Sequence, residues 1–199
     1  AAHAVAQPRV ASISPFSNNA TICGYPRDQG WTMPFDLPLE IVDQTCRGVN
    51  AGRTVSVPTT VGFCMYIRRE ALNDVGLFDE EAFGRGYGEE NDFCLRASRR
   101  GWKHLLACDV FVYHEGSISF GDEMEPRAAE AQRTLIARYP DYDRLIARHV
   151  RQDRVASCRM ALTAALFRRM ALPTILMVCH DLGGGVRRHI DLLVERLAG

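Results

Sequence analysis

The run from Gly86 to Tyr113 constrains the fold most. "GYGEENDFCLRASRRG" sets three carboxylates, Glu89, Glu90 and Asp92, behind a pair of glycines and at the head of a segment with helical apolar spacing. After Gly101, "KHLLACDVFVYH" turns apolar and β-branched, which predicts a buried strand over Val110–Tyr113. A helix stopped by a glycine and followed at once by a buried strand is a building block of α/β layers. Acids in a first helical turn complement the positive end of the helix dipole. That does not account for Gly84, Gly86 and Gly88, which let backbone approach another group closely or let the segment move. His114 then closes the strand, ahead of Gly116, Ser117 and Ser119. The carboxyl end of a strand is where an α/β sheet presents reactive groups.

The rest of the chain supports the same class. "RVASI" predicts a strand over Arg9–Ile13, turning at Pro15, and "SNNATICGYP" a polar loop. Residues 29–39 carry two prolines and little periodicity, so they read as irregular. A helix is expected from Pro38 to Arg47, closed near Gly48. "TVSVPTTVGFCMYIRR" is strand-like on both sides of Pro58, more so after it. "RREALNDVG" predicts a short helix stopped by Gly76, and "GLFDEEAFGRGYG" an irregular loop. Helices are expected over "EMEPRAAEAQRTLIARYP" and from Asp143 to Met170. "PTILMVCHDLGGGVRRHIDLLVERL" reads strand, glycine turn, helix, the opening of a doubly wound unit.

Composition narrows the function. The 199 residues are 47% hydrophobic, with 24 acidic and 24 basic side chains. That balance suits a soluble α/β domain, or one domain plus part of another, and gives no electrostatic footprint for nucleic acid. Seven cysteines without CxxC spacing suggest reduced thiols in a cytosolic setting and not a zinc site or a disulfide framework. No apolar run reaches transmembrane length. Both ends have the look of cuts within a longer chain.

The order "VGFCMY", "VGLFDE", "GYGEENDFCLR", "GW", "VYH" resembles the acceptor-side half of a family 2 glycosyltransferase with a GT-A fold, over roughly residues 8 to 121. It is most similar to bacterial rhamnosyltransferase and O-antigen-type members, and "SISPFSNNATICGYP" fits the same family. The resemblance implies attack by an acceptor hydroxyl on a nucleotide-sugar donor, with inversion. It implies a base at the helix head and Mn2+ or Mg2+ on the leaving diphosphate. The second acid of the family's pair falls on Glu90, where many members have aspartate. The candidate bases are therefore Glu90, then Asp92, then Glu89. His114 matches a histidine that joins the metal shell in several members. Arg96, at i, i+4 from Asp92, reads as a structural ion partner. The family's DxD motif is expected ahead of residue 1, so the chain alone is expected to be inactive.

Other candidates for substrate contact are Asn18 and Asn19, as turn formers or as partners for sugar hydroxyls. Gly62 reads as a strand bulge or a close approach to ligand, and Gly86 and Gly88 as loop glycines admitting an acceptor. Trp102 could stack on a sugar or face the core; Ser117 and Ser119 could meet phosphate or cap a loop. "ILMVCHDLGGGVRRHIDLL" resembles the opening of a GT-B, family 4-type glycosyltransferase.

The expected organisation is a partial GT-A domain over 1–150, a helical linker over 151–172 and the first β-loop-α of a second Rossmann-like domain over 173–199. The arginines of the linker, with Met160, Leu162, Leu166 and Met170, also suit a helix lying on a membrane surface. The expected function is transfer of a hexosyl or deoxyhexosyl unit to a glycan or lipid-linked acceptor in cell-surface polysaccharide synthesis. The place is cytoplasmic, at or near the inner face of the membrane. The alternative is a non-catalytic carbohydrate-binding or scaffolding segment.

Overall fold

The computed structural model describes residues 6–26, 37–84, 87–115, 124–170 and 184–197. Two compact units divide the chain, Ala1–Leu166 and Phe167–Gly199.

In the first unit, four strands form one mixed sheet: β1 (Val10–Phe16), β2 (Thr54–Val57), β3 (Tyr66–Ile67) and β4 (Lys103–Phe111), in the order β2-β4-β1-β3. β1 and β4 run parallel at the centre, with Ile13 opposite Leu105 and Ser14 opposite Leu106. β2 and β3 flank them antiparallel. Every residue of β1 is buried. This is the expected state of a strand covered on both faces, and it explains the near-continuous small and apolar sequence.

Helices cover the sheet. α1 (Leu39–Val49) buries Val42 and Cys46, and its Asp43 accepts from the Phe111 backbone N–H at 3.0 Å. α2 (Arg69–Val75) ends on Gly76 at φ 92°. α4 (Glu89–Arg99) packs Phe93, Cys94 and Ala97 with Ala11 and Ala71. α3 (Glu80–Phe83) and α5 (Met124–Arg138) share a second cluster of Phe83, Ala131, Leu135 and Tyr139. α6 (Tyr142–Gln152) ends at Asp153, in the left-handed region. α7 (Ala156–Arg169) buries Cys158, Leu162 and Leu166. Its Thr163 hydroxyl lies 3.0 Å from the Tyr25 hydroxyl, and its Cys158 carbonyl accepts from Asn50. In the second unit, α8 (Gly185–Leu197) follows Gly184 at φ 85°.

Several boundaries differ from those the sequence predicts. β1 runs on through Pro15 to Phe16, and proline is tolerated because the pairing register shifts between Pro15 and Phe16. The longer strand near Pro58 lies before it. After it, Ser14 Oγ takes over as partner, accepting from Val61 N at 3.1 Å and donating to Val61 O at 3.0 Å. The chain then turns through one 3-10 turn, Gly62–Cys64, leaving only two residues of β3.

β4 begins at Lys103 and ends at Phe111, because His104 is buried and not a polar flank. Its ring bridges Ser12 Oγ at 2.7 Å and Cys94 O at 2.9 Å, and burial lowers its pKa to about 4. The acid-rich loop before α4 contains α3, nucleated by Asp79, whose carboxylate accepts from Ala82 N at 3.0 Å. α1 continues through Gly48 to Val49. The stretch from Asp143 to Met170 breaks at Asp153 into two helices. The strand and most of the glycine turn expected before α8 lie outside the described residues.

Candidate active site

The head of α4 is built around Gly88. Its φ of 86° is left-handed, and a Cβ there would fall 2.9 Å from the Phe83 ring and 3.3 Å from Ala131. Glycine is required by the chain's own packing at this point. The turn delivers Glu89 and Glu90 side by side onto the first turn of α4. Burial, and then the charge of Glu89, push the Glu90 carboxyl up from an ordinary 4.5 to about 7, against backbone N–H groups of the helix head that favour its ionised form. Asn91 donates to Glu90 Oε1 at 3.2 Å, and the Tyr142 hydroxyl donates to Asn91 Oδ1 at 3.2 Å. Glu89 Oε2 is buried and has no hydrogen-bond donor among the described residues. A buried carboxylate oxygen without a donor is costly.

Asp92 lies in a different environment. It is fully buried, and its two oxygens accept from Arg96 Nε at 2.7 Å, the Tyr139 hydroxyl at 2.7 Å and Arg138 at 3.2 Å. Arg96 also donates to the carbonyls of Val75 and Leu77, and Arg138 also reaches Asp79 at 2.8 Å. Asp92 therefore ties α4 to α2, α3 and α5.

The 3-10 turn joins the helix head to the end of β4. Gly62 faces Glu90: a Cβ on it would lie 3.7 Å from the carboxyl carbon. The next residue, Phe63, stacks on the His114 ring at 5.1 Å with planes 17° apart. Glu90 and His114 thus flank one turn. His114 is held by Asn18 and Asn19. Asn18 Oδ1 accepts from His114 N at 2.8 Å, Asn18 Nδ2 donates to His114 O at 3.0 Å, and His114 Nδ1 lies 2.9 Å from Asn19 O. A carbonyl only accepts, so in the neutral ring Nδ1 carries the proton and Nε2 keeps its lone pair. That is the tautomer of a metal-binding histidine. No group of three His, Cys, Asp or Glu side chains able to hold a metal occurs among the described residues. His114 offers one ligand and no complete shell.

Trp102 stands beyond the other end of α4. It packs against the Phe93 cluster, donates from Nε1 to Asp74 at 2.7 Å and carries the Arg9 guanidinium 4.9 Å above its ring. Gly86, Ser117 and Ser119 lie outside the described residues. Tyr142 and Phe63 are the neighbours that sequence reasoning missed. Tyr142 is some fifty positions from the acids, and no local pattern connects it to them.

With this geometry in view, residues 39–137 match the family model described as glycosyltransferase like family 2. The match spans just under half of the chain, from α1 to the last turn of α5, and includes Gly62, Glu89, Glu90, Asp92, Trp102 and His114. The mixed sheet with its covering helices is consistent with a GT-A-like domain. No curated protein and no solved structure gives a match.

Proposed function

We propose that this chain belongs to the machinery of an inverting glycosyltransferase, with Glu90 as the base that takes the proton of an acceptor hydroxyl. The observation that carries this is the helix head inside the matched segment. There one carboxyl is raised to about 7 and its neighbour holds a buried oxygen with no donor among the described residues. A base poised near neutral pH is efficient. Glu89 Oε2 would accept from an acceptor hydroxyl and hold it beside Glu90. Asn18, Asn19 and Gly62 would shape the adjoining cleft. Asp92 would act by fixing the helix, since its oxygens are already occupied. A bound Mn2+ or Mg2+ would neutralise charge on a leaving diphosphate, with His114 Nε2 as one ligand.

The donor would be a nucleotide sugar carrying a hexosyl or deoxyhexosyl unit, and the acceptor a glycan or lipid-linked saccharide of cell-surface polysaccharide. Residues 173–199 would open a second, GT-B-type unit.

The test is a rate comparison in a protein that joins this chain to the donor-side half that the resemblance implies. In Glu90→Gln, turnover should fall by roughly 10²–10⁴-fold with donor affinity little changed. In Asp92→Asn, turnover per folded molecule should fall far less. Near-normal turnover in Glu90→Gln with a dead Asp92→Asn would move the base to Asp92. Full activity in both would take the base away from this helix head and leave the segment a non-catalytic, carbohydrate-binding role.

A further inference from the structure

A groove of about 750 Å³ separates the C-terminal half of α4 from α6, away from the acidic helix head. Its volume is in the range that encloses a small organic ligand. Leu95, Tyr139 and Leu145 supply an apolar floor, while Arg99, Arg148 and Arg151 stand along it. The arginines are not there by a general excess of basic residues, because the chain is neutral overall. Arg144, Arg148 and Arg151 recur at i, i+4 and i+7, so they share one face of α6. Arg144 is neutralised by Asp141 at 2.8 Å. Arg148 and Arg151 have no ion-pair partner among the described residues, and Arg99 lies 4.6 Å over the Tyr139 ring, a contact that leaves its charge uncompensated. Three unneutralised guanidinium groups around an apolar trough form a site of mixed chemistry. Guanidinium groups favour planar or tetrahedral oxyanions, which they bind through paired N–H donors.

We propose that this groove binds a single anionic amphiphile, a phosphate or phosphate ester joined to an apolar chain, with the apolar part on Leu95, Tyr139 and Leu145 and the oxyanion on Arg99, Arg148 and Arg151. The site is independent of the transferase chemistry assigned to Glu90.

Isothermal titration with dodecyl phosphate below its micelle concentration tests it, using the native chain and the double variant Arg148→Glu/Arg151→Glu. Both arginines are exposed, so folding should survive, and a thermal melt checks this. The native chain should bind one equivalent. Affinity should fall at least about tenfold in the variant and should also fall for the native chain as salt is raised. The salt series decides the matter if the variant does not fold. Affinity indifferent to both the substitution and salt would overturn the proposal. So would equally tight binding of neutral dodecyl maltoside, since the arginines would then contribute nothing. Inorganic phosphate binding as tightly as dodecyl phosphate would remove the apolar floor from the site. Binding to phosphatidylglycerol vesicles alone, without monomeric dodecyl phosphate, would make the face a membrane contact instead of a groove for one molecule.

Discussion

At the scale of single residues, Glu90 and Asp92 show how two acids on one helical turn acquire opposite characters. Asp92 has three donors and no exposure. Glu90 has one side-chain donor, a like charge beside it and burial against it, so its proton is held up to about 7. The consequence for stability has a definite sign. The folded pKa lies above the unfolded 4.5, so the native state holds the extra proton between the two values, and stability falls as pH rises through that window to about 7. Glu90→Gln removes the penalty. Its melting temperature should match the native chain below pH 4.5 and exceed it at pH 8, by about 1–3 kcal/mol in stability. Parallel melts across pH 4–8 check this, and an identical pH dependence in both chains would contradict it.

Gly62→Ala makes a complementary probe. The added methyl would sit in ordinary contact with the Glu90 carboxyl and clash with nothing. It should leave the fold intact and raise the acidic limb of the pH–rate profile by up to about one unit, by excluding water from the carboxyl. The cluster of acids was legible in the sequence. What separates their roles was not, because Arg138, Tyr139 and Tyr142 arrive from α5, the link after it and α6, far along the chain.

At the scale of elements, the glycine before α4 is the clearest case of a correct signal with a different cause. Three glycines suggest a loop that admits a ligand, yet Gly88 is fixed by its left-handed φ and by the Phe83 ring 2.9 Å from any Cβ. Gly88→Ala should therefore destabilise by about 1–3 kcal/mol, measured by denaturant unfolding. A change within about 0.5 kcal/mol would mean that the turn relaxes freely. Asp92→Asn should cost about 2–4 kcal/mol in the same experiment, because it removes a buried charge from two arginines.

Helix ends were read well where the stop is local. Gly101 at φ 79° closes α4 with Trp102 N bonded to Ala97 O and Gly101 N to Ser98 O, and Gly76 closes α2. Strands were read less well. The segment after Pro58 has strand propensity, but Ser14 and Cys94 capture its Thr60 and Val61 backbone groups through their side chains. No local window contains that competition.

At the scale of the whole molecule, the first unit draws its C-terminal helices back onto its first loop. α7 meets residues 24 and 25 through Arg159 and Thr163 and residues 50 and 53 through Cys158 and Ser157. Leu162 and Leu166, two of the apolar residues that would face a membrane if this helix lay on one, are buried, while Met160 is 70% exposed. No helix among the described residues is long and apolar enough to cross a membrane.

The same long-range assembly decides what His114 can do. Phe63 and Asn19, from two distant parts of the chain, hold its ring, while Asn18 holds its backbone, and Nδ1 is the ring nitrogen that these contacts occupy. One nitrogen without two further ligands among the described residues holds a divalent cation weakly. Calorimetry on the chain should therefore show no tight stoichiometric Mn2+ binding, and a saturable site at micromolar metal would contradict that. His114→Ala then separates two roles. If Nε2 is a metal ligand in the working enzyme, activity should fall and partly return as Mn2+ is raised, with the melting temperature only slightly lowered by loss of the Phe63 stack. If the ring serves only to pin the end of β4 to Asn18 and Asn19, the melting temperature should fall and added Mn2+ should restore nothing.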